Sequence, residues 1–206
     1  MKPRHIEKVL LYDEGAAEKL NIQGIAEYLG DNLSRVPVEI RGNPSVFRRK
    51  NSLDYAKKLA SIKILDVRWR MTSGQEPTYG EVQYEQRRLL GETRAFGILY
   101  DGFHLQRIFA ELITREERIL GFVHIFFTNR LFATWEEGNG RYHARTSVYG
   151  IPSVISTTGL VEAPARPRQY YLLKQHLRCW ERIPWCLRRD LKGALLIMKM
   201  SASPRL

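Results

Sequence analysis

Arg141, His143 and Arg145 recur at every second position of "RYHAR", the spacing that puts side chains on one face of a β-strand. Three groups able to carry positive charge repel one another on such a face unless acids or a bound anion lie opposite. Asn139-Gly140 separates this run from the strand-like "LFATWEE", the strongest short hairpin signal. A two-residue loop at Gly138-Asn139 or at Asn139-Gly140 gives the same parity. Thr134 and Glu136 then share the face of Arg141, His143 and Arg145, while Ala133, Trp135, Tyr142 and Ala144 fall on the opposite, packing face. Two chemistries fit the polar face, and the residues leave both open. One is an exposed ladder of individually weak cross-strand ion pairs. The other is a cleft wall in which Arg141 and Arg145 hold a carboxylate or phosphate and His143 is an acid, a base or a ligand.

His124 sits inside the apolar run "FVHIFF", where a neutral, hydrogen-bonded core histidine weighs ahead of a ligand. His5, His104 and His176 stand alone, and nothing in their surroundings distinguishes them. The chain has no H-E-x-x-H, whose two histidines one helical turn apart would bind zinc beside a base. It also lacks a P-loop, a dinucleotide fingerprint and a G-x-S-x-G elbow. Cys179 and Cys186 have neither zinc-knuckle spacing nor the number that a disulfide framework needs.

The elements that must position these residues can be read from periodicity. Residues 6 to 12 predict a first strand, and Asn21 caps a helix with Ile22, Ile25, Ala26 and Leu29 inward, ended by Gly30. Val36 to Arg41 alternate as a second strand, and Ser52 caps a helix with Leu53, Ala56, Leu59 and Ala60 inward. "EVQYEQRRLLG" is a weaker helix and "AFGILYDG" a strand. Leu105, Ile108, Phe109, Leu112 and Ile113 define the clearest amphipathic helix, and "GFVHIFFT" is an almost continuous apolar strand. "PSVISTTGLVE" offers a strand, a hydroxyl-rich end at Ser156, Thr157 and Thr158, and a glycine turn before Glu162. Pro164 and Pro167 keep a helix from running through the following residues, making either an extended wall or a fixed surface connection. "RQYYLLKQHL" resumes a helix. Strands alternating with helices predict an α/β or α+β fold, a mixed sheet with flanking helices and a β-hairpin around residues 130 to 148.

With 206 residues, 44% of them hydrophobic, the chain can fill one core, and no linker-like tract divides it. Its apolar runs are too short for a signal peptide or a membrane helix, and its two cysteines suit a reducing cytosol. The net charge of +11 raises the question of nucleic acid. Bases in "VFRRKN" and "YEQRRLL" are scattered without interleaved aromatic residues, so a solvated surface is favoured, with nucleic acid kept open as a partner. The oligomeric state is not legible.

"LLYDE", "LYDG" at 99 to 102 and above all "HIFFTNRLFATWEEGNGRYHARTSVYGIPSVISTTGLVEAPARPRQYY" at 124 to 171 resemble an archaeal family of metallopeptidase-like proteins, distantly similar to archaemetzincins. The resemblance covers most of residues 1 to 178. It implies a single zincin-like domain over that span, a peptide or other anionic ligand and zinc as cofactor. "PSVISTTG" would be the edge-strand region, and "GLVEAPARPRQYYLLKQ" would occupy the place where the zinc-binding helix begins. Glu162 is the acid there that could act as general base, with His143 handling protons. His124 and His143 are the candidate metal ligands, and Arg141, Arg145, Arg166 and Arg168 the candidate substrate-binding cations.

Beyond Arg178 the resemblance stops. Residues 179 to 206 carry +4 of the net charge, where the family pattern is acidic. Codons allowed for this tail, read one base back, give an acidic, stop-free peptide similar to the family's continuation. The tail is therefore read as out of frame, against the alternative of a genuine basic helix.

Overall fold

A computed structural model describes residues 6–16, 20–33, 36–42, 52–71, 76–90 and 98–162, all within one compact unit, Met1–Pro164. The expected helix at "RQYYLLKQHL", the domain boundary near 178 and the basic tail lie outside the described residues.

The run "KVLLYDE" forms β1 (Lys8–Glu14), two residues later than its apolar start suggested. Val9, Leu10, Leu11 and Tyr12 are all buried, the mark of a strand covered on both faces. β1 pairs in parallel with β2 (Val38–Arg41) and β4 (Phe122–Thr128). β4 pairs in parallel with β8 (Ser153–Ser156), and β7 (Ser147–Val148) closes the sheet antiparallel to β8. The order is β2-β1-β4-β8-β7. A second sheet, β3-β5-β6, joins β3 (Leu99–Asp101) in parallel to β5 (Leu131–Glu136), which pairs antiparallel with β6 (Arg141–Arg145). The expected mixed-sheet α+β fold is present, with two mixed sheets rather than one.

Alternation along β1 splits the core in two. Val9 and Leu11 pack with Phe127 and with Ile22, Ile25 and Leu29 of helix α1 (Ile22–Asn32). Leu10 and Tyr12 face the other way, onto Phe126, Val154 and buried residues of α2 (Ser52–Ser61) and α4 (Gly102–Ala110). Tyr12, Phe126 and Phe109 stack in series, with ring centroids 4.2 and 4.9 Å apart. Helix α3 (Tyr79–Leu89) opens on a capping box between Thr78 and Glu81 and packs Val82 on Ala56 and Ala60 of α2.

Several local expectations are corrected. α1 is capped by Asn21 as expected but continues through Gly30 to Asn32, because glycine only weakens a helix whose apolar face is already buried. In α2 the inward set is Tyr55, Ala56, Leu59 and Ala60, and Leu53 is exposed. α4 stops at Ala110, and Ile113 is buried from the turn that follows. The glycine turn before Glu162 is instead a short helix, α5 (Thr157–Glu162). Gly159 lies within it because any Cβ there would stand 2.7 Å from the carbonyl oxygen of Arg145. "SVIS" forms β8, one strand in from the edge, and β7 holds the edge itself.

Candidate functional site

The β5–β6 hairpin has the parity that alternation predicts. Thr134 stands opposite His143 and Glu136 opposite Arg141. In place of a two-residue loop, a 3-10 turn over Glu137–Asn139 ends on Gly140 at φ 56°, a left-handed conformation that glycine adopts without strain. On the polar face the contacts run diagonally. His143 Nε2 lies 2.9 Å from Glu136 Oε2, and Arg145 Nε donates to Thr134 Oγ1 at 2.9 Å. Arg141 and Arg145 are exposed and have no carboxylate partner among the described residues. One acid thus faces three groups able to carry positive charge, so the face is suited to an anion.

The opposite face packs. Tyr142 and Ala133 are buried together with Ile64, and Trp135 meets Tyr142 edge-on at 5.2 Å. Ala144, expected here, is exposed. Tyr142 donates its hydroxyl to Asp101 Oδ2 at 2.9 Å and accepts the Met71 N–H at 3.2 Å. Burial, helped by the hydrogen bond to Asp101 and then by its charge, pushes the Tyr142 phenol up to about 12 against the opposing Met71 N–H. Asp101 also caps α4, its Oδ1 accepting the His104 N–H at 2.9 Å. Beside this trio opens a cleft of about 430 Å³, lined by Arg70, Met71, Asp101, Phe103, His104, Trp135, Glu137 and Tyr142. Sequence reading missed this site. The available signal was Asp101 immediately before an amphipathic helix, an N-cap pattern whose carboxylate holds the His104 backbone N–H.

His124 belongs to the other sheet, so the structure does not bring it together with His143. It is 2% exposed. Its Nε2 lies 2.8 Å from the Glu117 carbonyl and its Nδ1 3.0 Å from the Tyr12 hydroxyl. A carbonyl can only accept, so Nε2 carries the proton and Nδ1 accepts from Tyr12. Both nitrogens are thus engaged, the single in-plane lone pair of the ring lying on Nδ1 against the Tyr12 hydroxyl. Glu162 is the last residue of α5. Arg166 and Arg168 lie outside the described residues.

At the carboxyl ends of β1 and β4 lies a buried ionic network that no motif announces. Arg130 Nε lies 3.0 Å from Glu14 Oε1, and Arg130 Nη1 lies 2.7 Å from Glu85 Oε2. Tyr100 donates to Glu85 Oε1 at 2.7 Å, Lys63 Nζ lies 3.2 Å from the same oxygen, and Thr128 donates to Glu14 at 2.6 Å. Arg88 completes the group through the Tyr100 hydroxyl and Asn129, each at 2.8 Å. Burial alone would raise the Glu85 carboxyl, but Arg130, the Tyr100 hydroxyl and Lys63 hold it below its ordinary value.

Fold and site define an α+β protein with a charged hairpin face and, behind it, a small aromatic cleft. The chain belongs to the Probable metallopeptidase family (DUF6775), whose family model matches residues 5–184. That span runs slightly beyond Arg178, where the resemblance was expected to stop. No curated protein and no solved structure matches the chain. The family description implies a metal. Among the described residues no group of three or more His, Cys, Asp or Glu side chains could hold one, so these residues alone do not fit the ion. No helix among them is long and apolar enough to cross a membrane.

Proposed function

We propose that the chain acts on peptides as a zincin-like member of this family, with zinc as its metal. The observation that carries the reading is the family match over residues 5–184. The geometry supports a peptide ligand in two ways. β7 is a short sheet edge followed by exposed Tyr149 and Ile151, and an exposed edge can pair with an extended chain. Arg141 and Arg145 lie just upstream, exposed and without carboxylate partners among the described residues, so a peptide carboxylate would be held by their guanidinium groups.

In this reading His143, held against Glu136, is a metal ligand or handles protons, His124 is the second histidine proposed for the metal, Glu162 serves as general base, and Arg166 and Arg168 extend the anion-binding surface. Any ligand set draws on residues outside the described ones, since the described ones do not supply it. The domain spans residues 1–178, and its archaeal source and cytosolic location belong to the same proposal. Residues 179–206 are a tail read out of frame; sequencing the gene through these codons in all three frames tests this, and the lack of an open acidic continuation would retire it.

The activity test is elemental analysis of the purified full chain together with cleavage of a mixed peptide pool, with and without a zinc chelator. Near-stoichiometric zinc and chelator-sensitive cleavage, both lost in His143→Ala at unchanged circular dichroism, are expected. A folded, metal-free protein that cleaves nothing overturns the proposal. Salt-sensitive peptide or nucleic-acid binding without turnover, weakened by loss of Arg141 or Arg145, would replace it with a non-catalytic binding module.

A further inference from the structure

The parallel strands of the larger sheet follow the order β1, β2, β4, β8 along the chain but lie as β2-β1-β4-β8 across the sheet. From β1 the chain turns to one side, where α1 packs against Val9 and Leu11. From β4 it turns to the other side, where Phe132 of β5 joins Leu10 and Tyr12. Neighbouring strands whose continuations leave opposite faces open a crevice at their carboxyl ends, and α/β sheets bind ligands at such switch points.

The residues rimming this crevice are tied to one another through neutral groups. Gly15 leads the chain out of β1 at φ 72°, and its carbonyl accepts from Asn129 Nδ2 at 3.0 Å. Asn129 Oδ1 accepts from Arg88 Nη2 and the Tyr100 hydroxyl from Arg88 Nη1, each at 2.8 Å. These two bonds hold the Arg88 guanidinium in place without neutralising it. Glu14 and Glu85 pair with Arg130 instead, and no carboxylate among the described residues forms an ion pair with Arg88.

Arg88 is therefore a half-buried cation without a counter-charge, and the Asn129 it bonds is exposed. Burial, and then the like charge of Arg130, push its guanidinium below the ordinary value, with Tyr100, Glu14 and Glu85 only partly offsetting them. A negative charge beside Arg88 would offset both effects. The backbone oxygens that would repel such a charge are occupied: the carbonyls of Thr128, Asn129 and Arg130 accept the hydroxyls of Thr157, Thr158 and Ser156 at 3.3, 2.7 and 2.7 Å. The remaining N–H groups of Arg88 have no protein partner among the described residues, and a planar guanidinium can present two of them to paired oxygens.

We propose that the crevice between β1 and β4 binds a small oxyanion, a carboxylate or a phosphate group, with Arg88 as its counter-charge. Asn129 and Tyr100 are positioning residues that fix the guanidinium. The site is distinct from the hairpin face, whose Arg141 and Arg145 belong to β6 of the other sheet, and it does not depend on the peptidase reading.

The test titrates the full chain with inorganic phosphate and with acetate, at an ionic strength held constant with chloride. It follows the arginine Nε–H NMR signals, assigned through the side-chain carbons. At least one oxyanion should shift the Arg88 signal saturably, and Arg88→Gln should weaken that binding about tenfold, a difference worth about 1.4 kcal/mol. Asn129→Ala should weaken it too and speed exchange of the Arg88 Nε–H with water, the mark of a guanidinium no longer held. Tighter binding of phosphate assigns the ligand group as a phosphate, and tighter binding of acetate as a carboxylate. An Arg88 signal that moves with neither oxyanion, or equally with chloride, overturns the proposal, and the unsubstituted chain alone decides this even where a variant fails to fold. Shifts confined to Arg141 and Arg145 overturn it as well, by placing the anion on the hairpin.

Discussion

Arg130 Nη1 lies 2.7 Å from Glu85 Oε2, with Arg130 2% and Glu85 0% exposed. The same guanidinium reaches Glu14, so one cation joins β1, α3 and the loop after β4. Taking either partner away strands a charge in a medium that cannot solvate it. Arg130→Met should cost about 3–5 kcal/mol in a urea titration, more than Glu85→Gln paired with Arg130→Met in the double variant. If the losses of Arg130→Met and Glu85→Gln simply add in the double variant, the network is not coupled as its distances indicate.

The Glu85 carboxyl gives this network a pH signature. Its folded value lies below the unfolded one, so it contributes stability that is complete above about pH 4.3 and lost as the pH falls through the folded value. Wild-type stability should decline on acidification below about pH 4. Glu85→Gln should be weaker at neutral pH and flatter through that window, as read by urea midpoints at a series of pH values.

Tyr12 and Tyr142 carry the opposite signature. Burial, reinforced by Glu117, pushes Tyr12 up to about 12, and burial lifts Tyr142 to about 12 as well. Unfolded phenols ionise near 10, so deprotonation favours the unfolded chain once the pH exceeds that value. Stability should fall between about pH 10 and about pH 12, with phenolate absorption at these two tyrosines tracking unfolding. Tyr12→Phe should remove part of the alkaline sensitivity and leave His124 Nδ1 without its donor.

Two glycines should answer alanine in opposite directions. Gly30 lies inside α1, and a methyl group added there would meet nothing within 4 Å, so Gly30→Ala should stabilise by about 0.5–1 kcal/mol through helix propensity. At Gly159 the methyl would meet the backbone oxygen of Arg145 at 2.7 Å, and Gly159→Ala should destabilise by about 1–3 kcal/mol. Thermal melts of the two variants separate these cases.

The two faces of the hairpin should differ in the same way. Glu136→Gln and His143→Ala disturb a half-exposed pair and should change stability by less than about 1 kcal/mol. Any larger loss of activity in them then reports on function. Tyr142→Phe leaves Asp101 Oδ2 and the Met71 N–H without a partner and should cost about 1–3 kcal/mol.

Much of the fold was legible because it depends on local pattern. The apolar period places β1, β4, α1, α2 and α4, and the hairpin parity holds because a strand can present only alternate residues to each side. The errors fall where a distant neighbour decides. Gly159 reads as a turn until the Arg145 carbonyl, at the end of β6, demands a residue without a side chain within α5. Leu53 reads as inward until packing turns Tyr55 to the core instead.

The sequence by itself therefore determined the α+β class, the charged face of Arg141, His143 and Arg145, and the family resemblance, since each is written in adjacent or regularly spaced residues. Only the tertiary structure decided which side chains meet. Asp101 reaches Tyr142 across 41 positions and Arg130 reaches Glu14 across 116. Tyr12 and Glu117 close both nitrogens of His124. Such contacts depend on how strands are ordered in a sheet, and strand order is settled by the burial of whole faces, which no short spacing encodes.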